Sequence, residues 1–151
     1  MRHMNLTLRL STVVLVMWVC TANAKAETVC SENLLKGGFA FTATGFLLAP
    51  SLIAGPFAAI GAQSFDGKGN TEATSTVSVN GAPELVTLRG LYSVNPDCTG
   101  SMTLTLFPSG VVQHFDLIVS ADGTEIRGIR TDTGVVGTGV YRKMSGANEL
   151  R

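Results

Sequence analysis

The sequence predicts an all-β protein, a single antiparallel up-and-down barrel of about eight strands, with a flattened β-sandwich as the alternative. Three observations carry this. Apolar and polar residues alternate through eight runs of about 8–11 residues, the period of a strand with one buried face. Gly, Asn, Asp and Pro stand between the runs in turn-forming combinations. No amphipathic helical stretch of useful length follows residue 26, and Leu34-Leu35 could make one turn at most.

The first run, 38–48, puts Phe39, Phe41 and Ala43 on one face. An apolar loop, Leu52-Ile53-Ala54, follows between Pro50 and Pro56. The second run, 57–65, is rich in small residues and ends in the hairpin signal Asp66-Gly67-Lys68-Gly69-Asn70. The third, 71–79, alternates Ala73, Ser75, Val77 and Val79 against Glu72, Thr74, Thr76 and Ser78. Asn80-Gly81 is the strongest two-residue hairpin signal, and Ala82-Pro83 is expected to lengthen that loop. The fourth run, 84–94, sets Val86, Leu88, Gly90, Tyr92 and Val94 against Leu85, Thr87, Arg89, Leu91 and Ser93. Asn95-Pro96-Asp97-Cys98 then turns the chain, because proline fixes its own φ and drives its predecessor from the helical region.

The fifth run, 99–107, carries Met102, Leu104 and Leu106 on one face. The sixth, 111–119, carries Phe115, Leu117 and Val119 on one face and His114 and Asp116 on the other. The seventh and eighth are 124–131 and 135–143, and a polar tail follows from Met144. A single open sheet would leave two long edges and a bare apolar face, and closure removes both. Gly61, Gly90, Gly128, Gly137 and Gly139, inside strands, suit the bends of a small barrel. Eight strands enclose an interior that side chains just fill, or that holds one small ligand.

The N-terminus reads as a secretory signal. Arg2 and Arg9 precede an apolar core of about 11 residues, and Ala24 and Ala26 each end an A-x-A cleavage site. That core is short of the roughly 20 residues of a membrane-spanning helix, and no later stretch is long and apolar enough. Val19 stands before Cys20 where a lipidation signal needs Gly or Ala, so plain export fits better. Residues 1–26 are thus a signal peptide and 27–151 one barrel domain, exported to the periplasm or secreted. Its eight basic and eleven acidic residues leave a net charge of −3 without a basic patch, which argues against a nucleic-acid partner. Cys30 and Cys98 remain, and two cysteines in an exported chain are most simply one disulfide.

Several stretches resemble one group of proteins. Residues 35–41 (Leu-Lys-Gly-Gly-Phe-Ala-Phe), 65–70 (Phe-Asp-Gly-Lys-Gly-Asn), 90–100 (Gly-Leu-Tyr-Ser-Val-Asn-Pro-Asp-Cys-Thr-Gly) and His114-Phe115-Asp116 are similar to small exported bacterial β-barrel proteins. These in turn resemble calycin-type barrels, above all the allene oxide cyclase-like barrel. The resemblance spans about residues 30–143. It implies a barrel of the kind that folds over a reactive apolar substrate, and transfers no catalytic residue.

The candidate chemistry is sparse. His114 and Asp116 lie two apart on a strand and share a face, but Phe115, Leu117 and Val119 claim the interior, so both belong in solvent. No second histidine remains after the signal, and no metal site or cofactor is expected. The chain has no Gly-x-Ser-x-Gly elbow, and Gly67-Lys68-Gly69 opens no helix and is no phosphate loop. On the seventh run Arg127 and Arg130 lie on opposite faces, so one arginine must point inward. Arg130, on the Ile126 face, is the candidate, with Tyr92 or Gln63 as polar neighbour; the alternative is an arginine at the mouth that reaches water. Phe39, Phe41, Leu88, Met102, Leu104 and Phe115 would line the rest of the lumen. The expected binding residues are therefore Phe39, Phe41, Gln63, Tyr92, Met102 and Arg130.

Three functions fit. One is an exported barrel that binds a small apolar molecule in its lumen. The second is a cofactor-free isomerase or cyclase of the allene oxide cyclase type, with Arg130 or Tyr92 stabilising developing charge. The third is a structural or interaction protein with a filled barrel, and self-association into a homo-oligomer is left open. An outer-membrane barrel is excluded by outer faces of Thr, Ser and charge and by the lack of aromatic girdles.

Overall fold

The computed structural model describes residues 29–145, so the expected signal peptide, Cys20 and the tail beyond Ser145 lie outside the described residues. Eight antiparallel strands close into an up-and-down barrel, each pairing with the next and β8 returning to β1. They are β1 Lys36–Leu47, β2 Gly55–Asp66, β3 Asn70–Val79, β4 Ala82–Val94, β5 Thr99–Phe107, β6 Val112–Val119, β7 Glu125–Arg130 and β8 Val135–Lys143. Closure leaves no sheet edge, so the flattened sandwich does not form. Among the described residues the only helix is one 3-10 turn, Glu32–Leu34, in the lead to β1.

The strands follow the sequence runs to within two residues at their ends. One difference has a clear cause. Asn80 and Gly81 both take positive φ, +50° and +83°, the backbone of a two-residue type I′ turn, and Val79 pairs directly with Ala82. Pro83 therefore lies in β4 rather than in a longer loop. A proline is tolerated there because β4 and β5 begin to pair only at Thr87 and Phe107, so its missing N–H faces no neighbouring strand.

Bulk is distributed unevenly along the barrel axis. At one end Leu35, Phe39, Phe65, Tyr92, Met102, Leu117, Val119 and Ile126 fill the interior. Phe65 bridges Phe39 and Tyr92 edge to face, with centroids 5.2 and 5.0 Å apart. Each such side chain stabilises the fold by roughly 1.5–3 kcal/mol on burial.

The N-terminal lead seals this end. The Tyr92 hydroxyl lies 3.0 Å from the carbonyl oxygen of Leu35 and 3.2 Å from that of Glu32. The Glu32 carboxylate accepts the Val94 N–H at 3.3 Å, and Leu35 is fully buried. The expected Cys30–Cys98 disulfide is formed, with Cα atoms 5.0 Å apart, and ties the lead to the corner between β4 and β5. Asn95 and Asp97 serve that corner as turn residues. Asp97 accepts from the backbone N–H and hydroxyl of Thr99, and Asn95 donates to the same hydroxyl.

Candidate functional site

The opposite half of the barrel is open. The inward residues there are small, among them Ala43 and Gly45 on β1, Ala59 and Gly61 on β2, Ser75 on β3 and Gly137 and Gly139 on β8. They leave a cavity of about 760 Å³, within the roughly 300–1,000 Å³ typical of small-molecule sites. Phe41, Phe57, Val77, Val86, Leu88, Leu104, Leu106 and Phe115 make its apolar wall. Phe41, Gln63 and Tyr141 close its inner end, next to the aromatic layer of the sealed half. Its mouth is bordered by the 48–54 loop, the Asn80 turn and residues 107–111. Leu52 is fully exposed at the tip of that loop, with Ile53 more than half exposed beside it.

Polar side chains interrupt the apolar wall: Asn80, Glu84, Ser109 and Gln113 lie toward the mouth, and Gln63, Ser75, Tyr141 and Arg130 are the more buried. Gln63 is 2% exposed. The Thr71 hydroxyl donates to the Ser64 carbonyl at 2.7 Å, so its oxygen must accept from the Gln63 amide nitrogen, 2.8 Å away. That fixes the amide orientation, with the nitrogen also 3.1 Å from the Met102 sulfur and Oε1 without a partner among the described residues. Ser75 is equally buried, and its hydroxyl donates to the Ile60 carbonyl at 3.1 Å.

Tyr141 is 3% exposed and stacks at a tilt on Phe41, centroids 5.2 Å apart. Its hydroxyl has no hydrogen-bond partner among the described residues, and burial pushes its pKa up to about 12, so it is a neutral donor. No fully enclosed polar side-chain atom in the described residues lacks a partner, so this oxygen must touch open space. For a side chain so buried, that space is the cavity.

Arg130 is the inward arginine, its side chain 11% exposed. Its guanidinium lies over the Phe115 ring, 5.5 Å from the centroid, and its Nε donates to Asp132 Oδ2. The other carboxylate oxygen, Oδ1, lies 2.7 Å from His114 Nδ1, and the His114 backbone N–H donates to Oδ2 at 3.0 Å. Burial opposes the charge on Asp132, but donation from His114 and Arg130 outweighs it and holds the carboxyl at about 2. Asp132 thus anchors one edge of the guanidinium at the rim, and both Nη atoms remain without a bond among the described residues.

The sequence-predicted residues divide between the two halves. Phe41, Gln63 and Arg130 line the cavity, with Leu88, Leu104 and Phe115. Phe39, Tyr92 and Met102 do not; they belong to the packed end, and the Tyr92 hydroxyl is committed to the lead. Tyr92 is therefore not the neighbour of Arg130, whose partner is Asp132. His114 and Asp116 face outward as expected, yet they form no pair, because His114 turns to Asp132 instead. Sequence reasoning missed Tyr141 and Asp132. Strict alternation from Gly137 and Gly139 places Tyr141 on the inner face and was the available signal, whereas Asp132 sits in a turn and carries none. Among the described residues no three His, Cys, Asp or Glu side chains cluster as a metal site requires.

No family model matches the chain, and no curated protein matches it either. Two solved structures are similar in fold. One is a redesigned β-barrel, 15% identical with a TM-score of 0.54, matched over 76% of this chain and 95% of that one. The other is the redesigned β-barrel mFAP1 bound to DFHBI, 16% identical with a TM-score of 0.55, matched over 74% of this chain and 97% of that one. At these identities the likeness is one of fold.

Proposed function

We propose that the protein binds a small apolar molecule in the open half of its barrel, and that it does so outside the cytoplasm. The observation that carries this reading is the half-filled interior. A barrel selected only for stability has no use for a cavity of about 760 Å³ beside a tightly packed floor, because unfilled core volume is destabilising. A fold-mate that holds DFHBI supports the reading, and so does the calycin-like and allene oxide cyclase-like resemblance of the sequence. Export is supported by the signal-like N-terminus and by the disulfide, which persists in oxidising compartments.

Titration of the purified protein with N-phenyl-1-naphthylamine, a neutral probe that brightens in apolar surroundings, tests the binding reading. Saturable one-to-one binding is expected, and a linear, non-saturating response refutes it. Fractionation of the producing cells tests export, with the protein expected in the periplasm or medium.

A cofactor-free isomerase or cyclase is the second reading. It is favoured by the unpaired Tyr141 hydroxyl and the open Nη edge of Arg130, which could meet charge developing on a bound substrate. Its test is ring closure of an unsaturated epoxide, faster with protein than without and slowed by Tyr141→Phe.

A further inference from the structure

The cavity contains more hydrogen-bond donors than the protein itself uses. Tyr141 keeps its hydroxyl proton free in a largely apolar site, and Arg130 spends only Nε on Asp132. Both stand on one stretch of wall. On β7 Ile126, Gly128 and Arg130 point inward in succession, and on β8 so do Gly137, Gly139 and Tyr141. Tyr141 pairs across with Ile126 and Gly139 with Gly128, so the strip between tyrosine and arginine is glycine.

The tyrosine ring leans along that strip. Its Cε2 lies 3.5 Å from where a Cβ on Gly139 would stand and 3.8 Å from one on Gly128. Its hydroxyl end is thereby carried toward the Arg130 side of the cavity. Gly137 and Gly139 themselves line the cavity, and neither has a side chain to meet the two donors.

We infer that the ligand carries a hydrogen-bond-accepting oxygen, a carbonyl or a carboxylate, that rests on this glycine strip and accepts from the Tyr141 hydroxyl. This deepens the apolar-ligand reading and rests on it. The rest of the molecule is apolar and extends along Phe41, Val86 and Leu104 toward the mouth. The donor is un-ionised at physiological pH, so a neutral carbonyl is received without an unpaired charge. A carboxylate is received with Arg130 Nη as a second donor.

The test is displacement of N-phenyl-1-naphthylamine by three naphthalenes, 2-ethylnaphthalene, 2-acetonaphthone and 2-naphthoate, from wild type and from Tyr141→Phe. The substitution removes an oxygen that no protein group bonds, so the variant is expected to melt with wild type. Loss of one neutral hydrogen bond should weaken the ketone about 3–10-fold and leave the hydrocarbon unchanged. Equal changes for ketone and hydrocarbon overturn the inference while the apolar site stands, and failure of the naphthylamine probe itself to bind removes both. Arg130→Met separates the two acceptors, since it should weaken naphthoate more than the ketone if the head group is an anion. A measurement on wild type alone guards against a misfolded variant. The carbonyl stretch of bound 2-acetonaphthone should fall below its frequency in hexane, and a hexane-like frequency overturns the inference.

Discussion

Cys98→Ser should remove about 4 kcal/mol of stability. The bond it breaks joins residues 68 apart, and loop-closure entropy for a loop of that length gives about 4 kcal/mol at 25 °C. The site of the bond adds a second consequence. Cys98 has φ +66°, a left-handed conformation that a side chain disfavours by about 1 kcal/mol and glycine accepts freely. Cys98→Gly breaks the same disulfide but relieves that conformation, so it should recover about 1 kcal/mol relative to Cys98→Ser. For a domain of this size the serine variant should melt roughly 10–20 °C below wild type, with the glycine variant a few degrees higher. Circular dichroism melts of all three proteins, with and without dithiothreitol, provide the assay. Reductant should bring wild type down to the serine variant and leave both variants unmoved. Equal melting temperatures for oxidised wild type, reduced wild type and Cys98→Ser would show that the lead is held by packing alone and refute the reasoning.

Three further outcomes are expected. Asp132 and Asp122 both have carboxyls lowered to about 2, Asp132 against the pull of its burial and Asp122 by the hydroxyls of Ser120 and Thr124. Their contribution is present above the unfolded carboxylate pKa near 4 and is lost as pH falls toward 2, so urea midpoints should hold from pH 7 to about 4 and drop below it, less steeply in Asp132→Asn. Tyr141 has the opposite sense. Its pKa rises to about 12 through burial, so stability is intact below pH 10 and declines as the unfolded chain ionises first; Tyr141→Phe should flatten that alkaline decline in the same urea series. Replacing Leu52 and Ile53 together by Asp should leave the melting temperature within a few degrees, because both side chains are exposed, yet slow uptake of an apolar probe through the mouth in stopped-flow fluorescence.

Much of the barrel was legible in the sequence because its signals are local. Alternation along each run marks the inner face, and Asp66-Gly67-Lys68-Gly69-Asn70 and Asn80-Gly81 mark hairpins by backbone chemistry alone. The corner at Asn95–Cys98 and its disulfide followed from proline, turn residues and a count of cysteines. The site was less legible because alternation distinguishes inside from outside and says nothing of depth. Phe39, Tyr92 and Met102 point inward as read, but strand stagger carries them to the sealed end, while Phe41 and Gln63, neighbours of Phe39 along and across the sheet, reach the cavity. One depth signal was present and unused. Ala43, Gly45, Ala59, Gly61, Gly137 and Gly139 are all small, and up-and-down connectivity puts all of them at the same end. The Arg130–Asp132–His114 cluster was hidden for another reason. It joins a strand interior, a turn and an outer face, a combination that only the closed barrel brings together.

The claim that the open half is a ligand site is tested most directly by filling it. Ala59 lines the cavity from β2, and Ala59→Phe puts a phenyl ring into that space without touching the sealed end. Wild type should bind N-phenyl-1-naphthylamine saturably at one site, and Ala59→Phe should bind it at least tenfold more weakly while melting at or above the wild-type temperature. Equal affinity in the two proteins would contradict the account.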